Sequence, residues 1–94
     1  MALNILVIDD SVAMRSMIIK TLRLSGLSLG ELYQASDGEK GLKVLESNRI
    51  DLALVDLNMP HMNGEEMIQR TKQNTATANI PILVVSTESS ETRY

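Results

Sequence analysis

Leu3-Asn4-Ile5-Leu6-Val7-Ile8-Asp9-Asp10 opens the chain with an apolar run that ends on two carboxylates. The run is too short for a helix and is rich in Ile and Val, which is the composition of a strand buried on both faces. A second stretch repeats the plan: Asp51-Leu52-Ala53-Leu54-Val55 ends on Asp56. A carboxylate beside the end of a buried strand suffers both desolvation and repulsion from its neighbours. A divalent cation and a phosphoryl group would give Asp9, Asp10 and Asp56 a common task.

Between and beyond these stretches the periodicity alternates. After Ser11 the apolar residues Val12, Met14, Met17, Ile18, Leu22 and Leu24, with Thr21, recur at spacings of three and four and predict a helix of about 13 residues closed by Gly26. Leu29 to Ala35 reads as a shorter, less apolar strand at a sheet edge. Ser36-Asp37 caps a second helix carrying Leu42, Val44 and Leu45, which fades at Ser47-Asn48. Leu52 to Val55 is the third strand. Asp56 to Gly64 is a loop in which Pro60 stops any helix and Asn63 caps the next one, through Met67, Ile68 and Thr71. Ile82 to Val85 is a fourth strand, with Pro81 tolerated at its start. Met14, Met17 and Met67 are expected to fill the core, and Met59 and Met62 to shape the loop around Pro60. Asp51, which precedes its strand, is expected to be a solvated turn carboxylate. His61 is read as a solvent-facing loop residue.

The order β-α-β-α-β-α-β implies an α/β fold with a doubly wound parallel sheet, right-handed crossovers and helices on both faces. In such sheets the site lies outside the carboxyl ends of the strands. Asp9, Asp10, Asp56 and the strand-four end Ser86-Thr87 should therefore share one edge. Composition narrows the function. Ninety-four residues make one small domain. A net charge of −3 argues against direct nucleic-acid binding or an anionic membrane surface. Absence of cysteine excludes disulfides and thiolate chemistry. No apolar run is long enough for a spanning helix and the first residues lack the plan of a signal peptide, so a cytoplasmic location is expected.

Val7-Ile8-Asp9-Asp10-Ser11, Asp56-Leu57-Asn58-Met59-Pro60-His61-Met62-Asn63-Gly64 and Val84-Val85-Ser86-Thr87, in this order and spacing, resemble the receiver domain of two-component response regulators, the CheY-like family. The resemblance covers essentially the whole chain. It implies a flavodoxin-like sheet of order 2-1-3-4 and a phosphoacceptor role for Asp56, supplied by the phosphohistidine of a sensor histidine kinase or phosphotransfer domain. It implies Mg2+ as cofactor, held by Asp10 and Asp56 directly, by Asp9 through water, and by the backbone carbonyl of Asn58; such a hard-oxygen set suits magnesium. It implies that Ser86 is the switch hydroxyl, and that the chain is a phosphoacceptor promoting its own modification rather than an enzyme. Which output partner is served is not legible.

The chain departs from the family pattern after strand four. The family's fifth-strand lysine, followed by proline, has no counterpart: Lys20, Lys40, Lys43 and Lys72 fall on predicted helices. Residues 1–94 are therefore expected to form a receiver domain that is incomplete at its C-terminal end, lacking strand five and helix five. Strand four would be an open apolar edge, so the chain is expected to be a homo-oligomer, a fragment of a longer receiver, or one piece completed by another chain. The alternative function is an inert receiver-fold binding or assembly module that cannot switch. A phosphatase of the haloacid dehalogenase type would call for Asp-x-Asp-x-Thr where this chain has Asp9-Asp10-Ser11-Val12-Ala13, and a flavin site would call for stacking aromatics, of which there are two tyrosines and no Phe or Trp. The bland reading of Asp9-Asp10 is a strand-to-helix turn whose charge favours the helix dipole.

Overall fold

A computed structural model describes residues 2–57 and 62–85 of the chain. Its elements run β1 (Leu3–Ile8), α1 (Val12–Leu24), β2 (Leu29–Ala35), α2 (Gly38–Ser47), β3 (Leu52–Val55), α3 (Gly64–Gln73) and β4 (Ile82–Val84). The four strands form one parallel sheet of order β2-β1-β3-β4. This is the doubly wound, flavodoxin-like architecture expected of the alternating periodicity.

Local chemistry sets the helix starts. Ser11, Asp37 and Asn63 each sit in extended backbone and accept a hydrogen bond from the amide three residues on, from Met14, Lys40 and Glu66 respectively. Each satisfies one of the amides that a helix leaves orphaned at its start. Beyond the end of α1 the chain turns through Gly26 at φ 87°, a backbone conformation that side-chain-bearing residues rarely adopt.

The sheet is covered on both faces. On one, Leu6, Ile8, Ala53 and Val55 pack with Leu45, Ile50, Met62 and Met67, so α2 and α3 share that side. On the other, Ile5, Val7 and Leu54 pack with Ile18, Ile19 and Leu22 of α1. Because β1 is central, alternate residues along it feed the two cores, and Ile5, Leu6, Val7 and Ile8 are all essentially inaccessible to water.

Three expectations are corrected, and one cap is added. Met17 does not fill the core: it is 58 % exposed, as Val12 and Leu24 are also exposed, because the stripe of α1 facing the sheet is Ile18, Ile19 and Leu22. The β4 ladder ends at Val84, although Val85 still donates its N–H to the Val55 carbonyl at 2.9 Å. Asp51 is no mere solvated carboxylate, since it accepts the Asn4 N–H at 2.8 Å and lies 3.8 Å from Arg49. Ser11, not assigned as a cap from the sequence, proves to be one. Met59, Pro60 and His61 lie outside the described residues.

The packing separates two leucines that look alike in the sequence. Leu6→Ala should lower the urea unfolding free energy by about 3 kcal/mol, within the ~2–5 kcal/mol range for emptying a buried leucine site. Leu24→Ala, at a position 77 % exposed, should change it by less than about 0.5 kcal/mol.

Candidate metal and phosphoryl site

The parallel ladder carries the acidic residues to one place. Asp9 continues β1 and donates its N–H to the Ala35 carbonyl of β2 at 3.1 Å; Asp56 continues β3 and donates its N–H to the Ile8 carbonyl of β1 at 3.0 Å. With Ile8 paired to both Ala35 and Val55, the residues that follow β1 and β3 emerge side by side at the carboxyl edge. Asp9, Asp10 and Asp56 each bring a carboxylate oxygen into a group whose members all lie within 4.8 Å of one another.

The three differ in surroundings. Asp9 and Asp56 are buried at 2 % exposure each, whereas Asp10 is exposed. Asp9 Oδ1 accepts the Ser11 N–H at 2.9 Å, while its Oδ2 is buried and accepts no hydrogen bond among the described residues. Burial, and then the charges of Asp56 and Asp10, push the Asp9 carboxyl above the usual carboxylate range, against the opposing pull of the Ser11 amide. A buried carboxylate oxygen without a donor, facing two more carboxylates, fits a hard divalent cation: an all-oxygen set with room for water on the exposed side is what magnesium accepts.

Gly64 returns the chain close beside Asp56 and Leu57. Gly64 donates its N–H to the Leu57 carbonyl at 3.1 Å, and a Cβ at this position would fall 2.5 Å from the Asp56 carbonyl oxygen and 2.8 Å from Leu57 Cα. Backbone atoms cannot yield as a side chain could, so the return of the chain beside Asp56 requires glycine. Gly38, at the start of α2, donates its N–H to the Met62 carbonyl at 3.2 Å and ties the loop to the neighbouring helix. Arg15 reaches back from the first turns of α1 to donate through Nη1 to the Asp9 carbonyl at 2.6 Å. Gly64 closes the stretch quoted in the sequence, whereas Gly38 and Arg15 were not singled out there. The available signal for Arg15 was its place one turn into a helix that starts beside the acidic strand end, because helical side chains lean toward the N-terminus.

Comparison with known proteins decides the family: the model of the response regulator receiver domain matches residues 5–94. The chain belongs to the response regulator receiver domain family. Among the relatives of this receiver domain is chemotaxis protein CheY1 of Helicobacter pylori, 33% identical over 92% of the chain and 68% of that protein. Another is the two-component response regulator ARR7 of Arabidopsis thaliana, 28% identical over 92% of the chain. The chain spans about half the length of the plant relatives it matches, 46% in the case of ARR7. Among solved structures, the chemotaxis response regulator CheY4 of Vibrio cholerae superposes with a TM-score of 0.82 at 32% identity, covering 96% of this chain and 72% of that one. The phosphorylated cyanobacterial phytochrome response regulator RcpA superposes at 0.84 and 28% identity, covering 97% and 69%. Receiver domains as a family are phosphorylated on aspartate, generally use Mg2+, and interact with histidine kinases or phosphotransfer proteins. No helix among the described residues is long and apolar enough to cross a membrane.

Of the expected site residues, the structure brings Asp9, Asp10 and Asp56 together; Asn58 and Ser86 lie outside the described residues. The raised Asp9 pKa gives the metal-free receiver domain a specific pH response. A carboxyl that titrates higher folded than unfolded contributes stability that is complete below the unfolded pKa and is lost as pH rises through the folded one. In chelator, the unfolding midpoint of wild type should therefore lose this contribution from acid toward neutral pH, and Asp9→Asn should flatten that part of the profile.

Proposed function

We propose that Asp56 is the phosphoacceptor of this receiver domain, and that Asp9, Asp10 and Asp56, with the main-chain carbonyl of Asn58, hold Mg2+ for the transfer. The observation that carries this reading is the acidic cluster itself, together with the buried Asp9 Oδ2, which accepts no hydrogen bond among the described residues. In the step proposed, a carboxylate oxygen of Asp56 attacks the phosphorus of a phosphohistidine on a kinase or phosphotransfer domain. A P–O bond forms, the P–N bond breaks and its electron pair returns to the imidazole, leaving an acyl phosphate on Asp56. The cation, when bound, supplies the charge neutralisation without which two anions could not approach. Asp9 is fixed through one oxygen by the Ser11 amide, which leaves the other for the cation. The sheet edge and Gly64 hold Asp56 in place, so that little must reorganise during transfer. Ser86 is assigned the switch hydroxyl, donating to the phosphoryl oxygen once it arrives. On this reading the chain promotes its own modification and turns over no free substrate.

Incubation with acetyl phosphate or phosphoramidate and Mg2+ should add one phosphoryl group to the intact protein by mass spectrometry. Asp56→Asn should abolish the gain, and chelator should suppress it. No gain in wild type would leave the inert receiver-fold module as the better account.

The described part of β4 supports a further element of the same reading, that its outer edge is covered by another copy or another chain. Leu83 and Val84 are 55% and 42% exposed on opposite faces of this strand, and outward apolar strand edges invite pairing. Sedimentation velocity should show concentration-dependent association that Leu83→Lys weakens; a monomer at all concentrations would count against it.

A further inference from the structure

We infer that Arg15 is a positioning residue for the acidic site, acting through the main chain of Asp9 to set the direction of Asp10. This builds on the metal-binding reading above, although its first half can be tested without any metal.

Asp10 is the least anchored of the three carboxylates. It is exposed, while Asp9 and Asp56 are buried and each lies on a ladder hydrogen bond. Among the described residues, the main-chain anchor of Asp10 is the peptide unit it shares with Asp9. The carbonyl of Asp9 and the N–H of Asp10 belong to one rigid plane, so a grip on the oxygen orients the next residue. Arg15 supplies that grip: its Nη1 donates to the Asp9 carbonyl at 2.6 Å, a short, charge-assisted bond.

The guanidinium is itself held, because Nε donates to Gln34 Oε1 at 2.9 Å. Gln34 lies near the end of β2, next to Ala35, whose carbonyl accepts the Asp9 N–H. Three contacts thus converge on one residue: β2 holds the N–H of Asp9, α1 holds its carbonyl through Arg15, and the Ser11 amide holds its side chain. A planar fork with several donors bridges a carbonyl and an amide from two separate nitrogens in a fixed plane; a lysine, with its donors on one freely rotating nitrogen, lacks that fixed spread.

The sign of the effect separates positioning from simple electrostatics. Arg15 places a permanent positive charge beside an acidic site, so if charge alone mattered its removal would tighten cation binding. Positioning predicts the reverse. Arg15→Met should weaken Mg2+ affinity about tenfold, the low end of the about 10–100-fold losses seen when partners that orient metal ligands are removed. Arg15→Lys should recover part of the loss, and Gln34→Ala should shift affinity in the same direction but less. Arg23→Met, an equal charge change in the last turn of the same helix, should leave it unaltered.

The experiment is an Mg2+ titration of the 15N-labelled full chain followed by amide chemical shifts, begun from metal-free protein. In the metal-free spectra the Asp10 amide of Arg15→Met should move away from its wild-type position while amides of β3 stay in place. Unchanged or tighter Mg2+ binding in Arg15→Met, or an unmoved Asp10 amide, would overturn the inference. If wild type showed no response to Mg2+, the metal reading of the site would fall, and the metal-free spectra would still decide whether Arg15 holds the Asp9 peptide.

Discussion

Everything at the carboxyl edge depends on β1 being hydrogen-bonded on both sides. In a parallel ladder the bonds are slanted, so the residue beyond each strand's last pair still donates to the strand before it. Asp9 donates to Ala35, Asp56 to Ile8 and Val85 to Val55, three steps of one staircase across the sheet. The two buried carboxylates are thus held by backbone bonds that have nothing to do with their charge. This is how a fold tolerates an arrangement that the carboxylates themselves oppose: the adverse interaction is local, and the apolar packing of Ile5 to Ile8 and Val55 that imposes it is not.

The two faces of the sheet contribute unequally. The face under α2 and α3 has the larger core, and both helices bury residues fully. α1 buries none of its residues completely and leans on the opposite face through Ile18, Ile19 and Leu22. Elements with little buried apolar surface open most readily. The polar contacts at its first turns, from Ser11 and Arg15, therefore matter more to the placement of α1 than comparable contacts would on α2.

Much of this was legible in the sequence, for identifiable reasons. Apolar runs, broken only by Asn4, gave β1 and β3 their limits because both faces of those strands are covered, and Asp37 and Asn63 announced α2 and α3 because capping is a local bond. The convergence of Asp9 and Asp56 followed from strand order. What escaped were contacts whose partners are far apart in sequence or made by main chain: Arg15 with the Asp9 carbonyl, Gly38 with Met62, and Asn4 with Asp51. The face of α1 was misjudged because a helix with apolar residues on several sides has no single stripe in its periodicity, and only packing shows that Met17 points away.

Asn4 looked like an interruption in an apolar strand. Its register with β2 shifts between Leu3 and Ile5, where Leu3 faces Leu29 but Ile5 faces Leu32. The extra residue on β2 leaves the Glu31 N–H off the ladder, and Asn4 Oδ1 accepts it at 2.9 Å. The same side chain donates to the Arg49 carbonyl at 3.0 Å, just before β3. One amide therefore reads both neighbours of the central strand and would lose both partners if either slipped by a residue. Asn4 works as an alignment peg at the amino edge, and the register it helps to hold is the one that sets Asp9 beside Asp56 at the other end of the sheet.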